Sequence, residues 1–187
     1  MDKKPEKESY AWVLDYLPYG HPDDTRPIYQ RKPLVQAVGE KHFTLLELIP
    51  KEGVVPEPHQ RVYIGEGERD LIDHVKRRIK YDELTHGAKL ELPHVIEEII
   101  LENEERFVEF FNKAYSITPR LHMLELLPGI GKKLMWAIID EKKKGEFKSF
   151  EDLTSRVRGV YQPEKLIAKR VEEELREENI KYRLFTR

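Results

Sequence analysis

Residues 126–133 read Leu126-Leu127-Pro128-Gly129-Ile130-Gly131-Lys132-Lys133 and separate two amphipathic runs of the chain. Proline and glycine interrupt helices, and glycine also permits tight turns with unusual backbone angles. The pattern therefore predicts two helices joined by a sharp turn, with the second helix beginning near the lysines. Because the first turn of a helix leaves backbone N–H groups unpaired, such a turn suits a phosphate oxygen.

The two lysines of this segment strengthen the prediction of an anionic partner. Lys132 and Lys133 fall in the first turn of the second helix, where the helix dipole disfavours cations. We expect the backbone N–H groups from Gly129 to Lys133 to bind the phosphates of one strand, while Ile130 packs inward. Such contacts carry no base information and weaken strongly with salt. The alternative interpretation is a sharp helix–helix connection with no ligand.

The same residues resemble a known motif. Leu124-x-x-Leu127-x-Gly129-Ile130-Gly131 resembles the helix-hairpin-helix motif, a sequence-independent nucleic-acid binder, although Met135 stands where a small residue is usual. Residues 145–153 are similar to the connector of paired helix-hairpin-helix domains, such as the DNA-binding domain of bacterial competence proteins. The segment 157–160 fits a second, degenerate hairpin, which we expect to complete the fold because Tyr161 replaces a glycine.

Over its whole length the chain resembles an archaeal family of unknown function, and this resemblance implies an OB-like barrel joined to the helical module. The predicted class is α+β, an N-terminal OB-like β-barrel followed by an all-α tandem helix-hairpin-helix domain. We expect a disordered tail at residues 1–8, the barrel at 9–90, a connecting helix at 91–117 and the helix-hairpin-helix domain at 118–187.

Apolar and polar residues alternate in the first half of the chain, as in half-buried strands. Strands are predicted at residues 10–17, 34–38, 42–49 and 61–64, whereas residues 70–84 suit either a helix or a strand. A helical segment begins at Thr85, and a longer helix is expected from Pro93 to about Tyr115. Ser149 is a predicted N-cap with Asp152 as its capping-box partner, and the last helix starts at Pro163. Residues 180–185 alternate again and predict a terminal strand.

The formal net charge of −2 gives no general affinity for nucleic acid, so binding must come from local patches. One helix is acidic around residues 97–109. A second basic cluster is formed by Lys76, Arg77, Arg78 and Lys80, followed by Tyr81. This cluster is either a solvated face or a second contact for a single strand or an RNA.

Composition argues against several kinds of site. The chain has no cysteine and therefore no disulfide, thiolate zinc site or cysteine nucleophile. The seven histidines lack the spacing of a metal pair, so we predict no metal site and no cofactor, and we place them on the surface or in satisfied core positions. Without a signal peptide or a long apolar segment, the expected location is cytoplasmic, with no membrane partner.

The leading functional hypothesis is a non-catalytic protein that binds RNA or DNA through phosphate contacts, with a further single-strand or RNA contact on the barrel. An alternative is a protein-interaction adaptor that uses the helical module. A minor alternative is a DNA-repair-type enzyme, because Asp152 follows the hairpin as a catalytic aspartate does in some glycosylases. Trp136 is expected to pack against the barrel or the long helix rather than on a base.

Overall fold

The computed structural model describes residues 7–187, and the described chain is α+β, as predicted. Two compact units are present within it. The sheet unit runs up to Val95 and includes Glu174–Arg187, and the helical unit is Ile96–Glu173. No helix within residues 7–187 is both long enough and apolar enough to cross a membrane.

A curled five-stranded antiparallel sheet, a half-barrel, dominates the sheet unit, with strand order β4-β1-β2-β3-β5. The strands are β1 (Tyr10–Leu17), β2 (Leu34–Gly39), β3 (Leu45–Pro50), β4 (Arg61–Tyr63) and β5 (Ile72–Arg78). The predicted strands are therefore confirmed, except that β3 begins three residues late because Phe43 has a φ of 55° and cannot be extended. The ambiguous residues 70–84 form β5 and a 3-10 turn at Tyr81–Glu83.

Both faces of the central strands are buried, and one of them holds a polar pair. One face carries the apolar core: Ala11, Val13, Val35, Ala37, Leu46, Leu48, Val62, Ile64 and Ile72. The other face includes the buried polar pair Gln36 and Glu47, whose side chains are joined by a 3.3 Å hydrogen bond. A buried amide and carboxylate need several partners, and the segment that leads into the first helix supplies them. The Gln36 amide donates to the Glu83 carbonyl at 3.0 Å and accepts from the Thr85 N–H at 2.8 Å.

The helix start predicted at Pro93 is wrong, because the helix that begins after Thr85 continues through Pro93, and the long helix predicted to reach about Tyr115 is divided in two. The two helices are α1 (His86–Glu102), which contains Pro93, and α2 (Glu104–Lys113). Thr85 opens α1 as predicted, because its hydroxyl accepts the Ala88 N–H at 3.0 Å. The break falls at Asn103, which has a φ of −122° and donates from its side chain to the Ile99 carbonyl at 2.8 Å. An amide that competes for a backbone carbonyl favours helix ends, and this explains the interruption.

The rest of the helical unit begins with a short hairpin, β6 (Ser116–Thr118) and β7 (Leu121–His122). Three helices follow: α3 (Lys132–Lys143), α4 (Phe150–Arg156) and α5 (Pro163–Arg176). Asn112 fixes the connector after α3, because its side chain donates to the Phe147 carbonyl at 2.9 Å and accepts the Phe147 N–H at 2.8 Å. The predicted helix start at Pro163 is confirmed.

Both ends of the described chain are held by carboxylates. Residues 1–6 of the predicted disordered tail lie outside the described residues, whereas Glu8 is buried and accepts the backbone N–H groups of Lys41 and His42. The terminal strand predicted at residues 180–185 is wrong, because this segment is irregular. Buried Glu174 accepts the backbone N–H groups of residues 184–186 at 3.0–3.2 Å and thus takes the place of a strand partner. The predicted domain bounds stay a prediction.

Candidate nucleic-acid interface

The first glycine turn, residues 127–131, adopts the geometry that its sequence requires. Gly129 has a φ of 95°, a conformation that residues with a Cβ rarely adopt. The Ile130 N–H donates to the Leu127 carbonyl at 3.1 Å, and this bond closes the turn. Ile130 itself is only 4% exposed, so it packs inward as predicted. The element before the turn differs from the expected helix, because it is a four-residue 3-10 helix, Met123–Leu126.

Gly131 is the N-cap of α3 and leaves the start of that helix open. It has no side chain to accept the first N–H groups, and α3 has no side-chain cap hydrogen bond. A Cβ built at Gly131 would meet no atom within 4 Å, and its φ of −94° is accessible to any residue. Neither packing nor backbone strain therefore requires glycine at this position. The absence of a side chain instead leaves room for a molecule outside the chain to reach the N–H groups of α3.

Lys132 and Lys133 have different environments, although the sequence pattern does not distinguish them. The Lys132 ammonium lies 2.9 Å from a carboxylate oxygen of Glu125 and donates to the Arg120 carbonyl at 2.9 Å. The hydrogen bond from the His122 N–H, followed by the bond from Lys132, holds the pKa of Glu125 below its usual range. Lys133 is exposed and makes no ion pair or hydrogen bond within the described part of the chain. Lys133 is therefore the cation at this turn with the greatest freedom to meet an anion.

The second glycine turn, residues 157–161, repeats the first. Gly159 has a φ of 101°, Val160 is 2% exposed, and the Val160 N–H donates to the Val157 carbonyl at 3.3 Å. A Cβ at Gly159 would lie 2.9 Å from the Leu134 side chain on α3. The second turn is thus closed by packing against α3, whereas Gly131 faces open space.

The basic cluster at residues 76–81 belongs to the sheet unit, and most of its side chains have partners within the chain. Arg77 donates to Glu47 at 2.7 Å and to Glu83 at 2.9 Å, and Lys80 lies 3.2 Å from Glu178. Arg78 donates to the Arg187 carbonyl. The cationic groups of Lys89 and Arg176 lie 5.2 and 5.5 Å from the centroid of the Tyr81 ring. Lys76 is exposed and lies at a β-bulge. Glu47 pairs with Arg77 and Leu48 pairs with Val75, so Lys76 is the extra residue between the two pairs.

A polar cleft that no sequence pattern indicated lies in the sheet unit. The cleft has a volume of about 480 Å³, and its lining includes His21, Asp23, Arg77, Asp82 and His86. These residues come from two separate parts of the chain, residues 21–23 and 77–86, so no single local pattern connects them. No group of three or more metal-binding side chains able to hold an ion occurs among residues 7–187.

Two acidic residues, Asp24 and Asp152, have structural partners within the chain. Asp24 binds the Arg26 guanidinium, with contacts of 2.7–3.2 Å, and these hydrogen bonds hold its pKa well below the usual range. The Ser149 hydroxyl accepts the Asp152 N–H at 2.9 Å, which confirms the predicted N-cap of α4. The Asp152 carboxylate in turn accepts the Lys148 N–H at 2.9 Å and lies 3.1 Å from Arg156. Asp152 thus helps to hold the start of α4.

Comparison with known proteins places the whole described chain in one family. A family model described as a protein of unknown function, DUF655, matches residues 7–187. An uncharacterised protein of Methanocaldococcus jannaschii is 52% identical over 186 residues, which cover 98% of this chain and 82% of that protein. A crystal structure of a DUF655 protein from Archaeoglobus fulgidus is similar with a TM-score of 0.91 and 57% identity, over 96% of this chain and all of that chain. The expected resemblance to an archaeal family of unknown function is confirmed, and the chain belongs to the DUF655 family.

Proposed function

We propose that this protein binds nucleic acid without catalysis and that the first glycine turn with the start of α3 binds the phosphate backbone. The observation that carries the proposal is the open space in front of Gly131, next to uncapped backbone N–H groups and the exposed Lys133. Backbone N–H groups at a helix start and a nearby ammonium group are donors to phosphate oxygens. The expected ligand is RNA or DNA, bound without sequence preference.

The finer architecture is part of the same proposal. We infer that the half-barrel is an OB-like barrel and that the two glycine turns form a tandem helix-hairpin-helix module. Five antiparallel strands with one open side support the first statement. The repeated positive φ angles of Gly129 and Gly159, each followed by a buried aliphatic residue, support the second. The Gly159 turn contacts α3, so its expected role is to support the first turn.

The basic cluster of the sheet unit contributes less to the proposal than its sequence suggested. Arginines that already bind carboxylates offer a ligand less net charge and would have to exchange partners. Arg77 is shared by two carboxylates, and Lys80 is paired with one. Within this cluster, Lys76 is the residue we expect to add a phosphate contact to those at the first glycine turn.

The test is the affinity of purified protein for labelled single-stranded RNA, single-stranded DNA and duplex DNA, measured by fluorescence anisotropy at low salt. The Lys132→Glu/Lys133→Glu variant is expected to lose binding to whichever polymer the native protein prefers. Lys143→Glu/Lys144→Glu is the matched control, because it changes the same charge at the far end of the same helix, where both side chains are 73% exposed. Equal losses in the two variants, or no binding by the native protein, would contradict the proposal.

A protein-interaction adaptor is the second candidate. Leu101, which is 52% exposed, lies among the acidic residues 97–109, and Tyr115, which is 65% exposed, follows that segment. Such a surface suits a basic protein partner better than a phosphate backbone. Replacing Leu101 by Ser is expected to weaken an adaptor contact and to leave nucleic-acid affinity unchanged, which separates the two candidates in a pull-down with parallel anisotropy measurements.

A further inference from the structure

Trp136 lies on the outer face of α3, although it was expected to pack against the barrel or the long helix. Its exposed fraction is 55%, whereas Met135 and Ile138 of the same helix are buried. Successive residues of a helix are rotated by about 100°, so Trp136 falls on the side away from this buried pair. The other tryptophan, Trp12, is 8% exposed and donates its indole N–H to Glu40. A large aromatic side chain thus stands in solvent on the helix that begins at the first glycine turn.

The charged neighbours of Trp136 on the side of the glycine turn indicate what kind of molecule covers it, whereas Asp140, four residues later, lies 4.0 Å from Lys143. Lys132 and Lys133 precede it by four and three residues, and these spacings place side chains next to each other on a helix surface. Helical side chains also lean towards the N-terminus, so the indole leans towards the lysines and the turn. Both lysines are exposed. A face that combines an aromatic surface with cations matches a ligand that has both a flat apolar surface and a negative charge.

We infer that Trp136 stacks on an unpaired nucleobase of the same strand whose phosphate binds at the first glycine turn. The inference rests on the proposed function and extends it by naming the form of the nucleic acid. Bases inside a duplex are already stacked on both faces, so only an unpaired base can offer its face to the indole. Stacking on aromatic side chains together with backbone contacts to cations is the usual mode of single-strand binding. The protein therefore prefers single strands, overhangs or loops to blunt duplex.

Intrinsic fluorescence offers a direct test, because the chain has two tryptophans and only one of them is exposed. Single-stranded RNA and single-stranded DNA of one sequence and the corresponding blunt duplex are titrated into the native protein. Both single strands are expected to quench the emission of the exposed tryptophan and to protect it from acrylamide, and the stronger quencher identifies the polymer. The duplex is expected to leave the emission unchanged. In the Trp136→Phe variant the quenching is expected to disappear.

Affinity measurements give a second, independent readout. Replacement of a stacking aromatic residue by alanine typically costs about 1–3 kcal/mol, which corresponds to a roughly 5- to 150-fold loss of affinity. Trp136→Ala is therefore expected to weaken single-strand binding about tenfold and to leave weaker duplex binding unchanged, while Trp136→Phe retains most of the affinity. Tyr29→Ala is the matched control, because Tyr29 is an 84% exposed aromatic residue of the sheet unit. This control is expected to bind like the native protein.

The possible outcomes separate the stacking inference from the proposed function. If the native protein binds single strands by anisotropy but its emission is not quenched, stacking on Trp136 is wrong and phosphate binding stands. An equal affinity of Trp136→Ala and the native protein would overturn the inference in the same way. If no nucleic acid binds at low salt, the stacking inference and the proposed function are both overturned. Circular dichroism of each variant excludes misfolding as the cause of a loss.

Discussion

Two glycines of the same turn have different roles at the scale of single residues. Gly129 requires a positive φ, so alanine at this position is expected to destabilise the protein by about 1–3 kcal/mol. Gly131 has neither a positive φ nor a close neighbour. Gly129 is therefore needed to form the turn, whereas Gly131 leaves the turn accessible to a ligand.

Gly131→Ala is expected to lower the free energy of unfolding by no more than about 1 kcal/mol, because alanine is a poorer N-cap than glycine but meets no steric clash at this position. Its affinity for nucleic acid is expected to fall about tenfold, because a methyl group would block one charge-assisted hydrogen bond to phosphate. Urea unfolding and anisotropy measure the two effects. Unchanged affinity in a stable variant would show that the open space at Gly131 serves no ligand.

The Glu125 carboxylate restrains Lys132 and places a negative charge beside the turn. Glu125→Gln keeps an oxygen that can accept the His122 N–H but removes the negative charge that neutralises the lysine, so affinity for nucleic acid is expected to rise about threefold, together with its salt dependence. Glu151→Gln, on the exposed surface of α4, is the matched control for the change in net charge. A rise of the same size in both variants would mean that only the overall charge matters.

The 3-10 helix Met123–Leu126 replaces the first predicted helix at the scale of elements, and its cap explains how so short an element is held. His122 is buried, and its Nδ1 accepts the Leu124 N–H at 3.1 Å, while Glu125 accepts the His122 N–H at 2.8 Å. Each side chain thus satisfies a donor at the start of the element. Four residues with a reciprocal cap substitute for a full helix in front of the glycine turn.

This cap is expected to make stability depend on pH. Burial lowers the pKa of His122 from the usual value, because the charged imidazolium is poorly solvated there. Its stabilising contribution is complete above the unfolded pKa of about 6.5 and is lost as pH falls through the lower folded pKa. His122→Asn retains an acceptor that does not titrate. Thermal unfolding at pH 7.5 and 5.5 is expected to show a smaller loss in the variant than in the native protein, and equal losses would contradict this role.

Strand alternation and capping residues made much of the fold predictable at the scale of the whole molecule. The alternation of Tyr10–Leu17 corresponds to β1, and Ser149 caps α4. Contacts between distant residues were not predictable, because no local pattern connects Arg77 with Glu47, thirty residues away. The sequence of the basic cluster therefore indicated side chains available to a ligand, whereas in the structure most of them are bound to partners within the chain. The predicted packing of Trp136 was wrong for a related reason, since the sequence of an amphipathic segment does not show which of its apolar residues faces solvent.

The features of the candidate site that depend on consecutive residues were predictable from the sequence. The glycine turn and the inward position of Ile130 follow from consecutive residues. The unequal environments of Lys132 and Lys133 depend on Glu125 and Arg120, which the turn brings back towards α3. The polar cleft in the sheet unit depends wholly on the tertiary fold.

The salt dependence of binding tests the central claim, phosphate binding at the first glycine turn, most directly. Each phosphate contact contributes roughly 0.7–0.9 to the slope of log affinity against log salt concentration. Lys133→Ala is therefore expected to bind more weakly and with a slope smaller by about that amount, whereas Lys144→Ala keeps the native slope. An unchanged slope in Lys133→Ala, in a protein that still binds nucleic acid, would show that the phosphate backbone is bound elsewhere on the molecule.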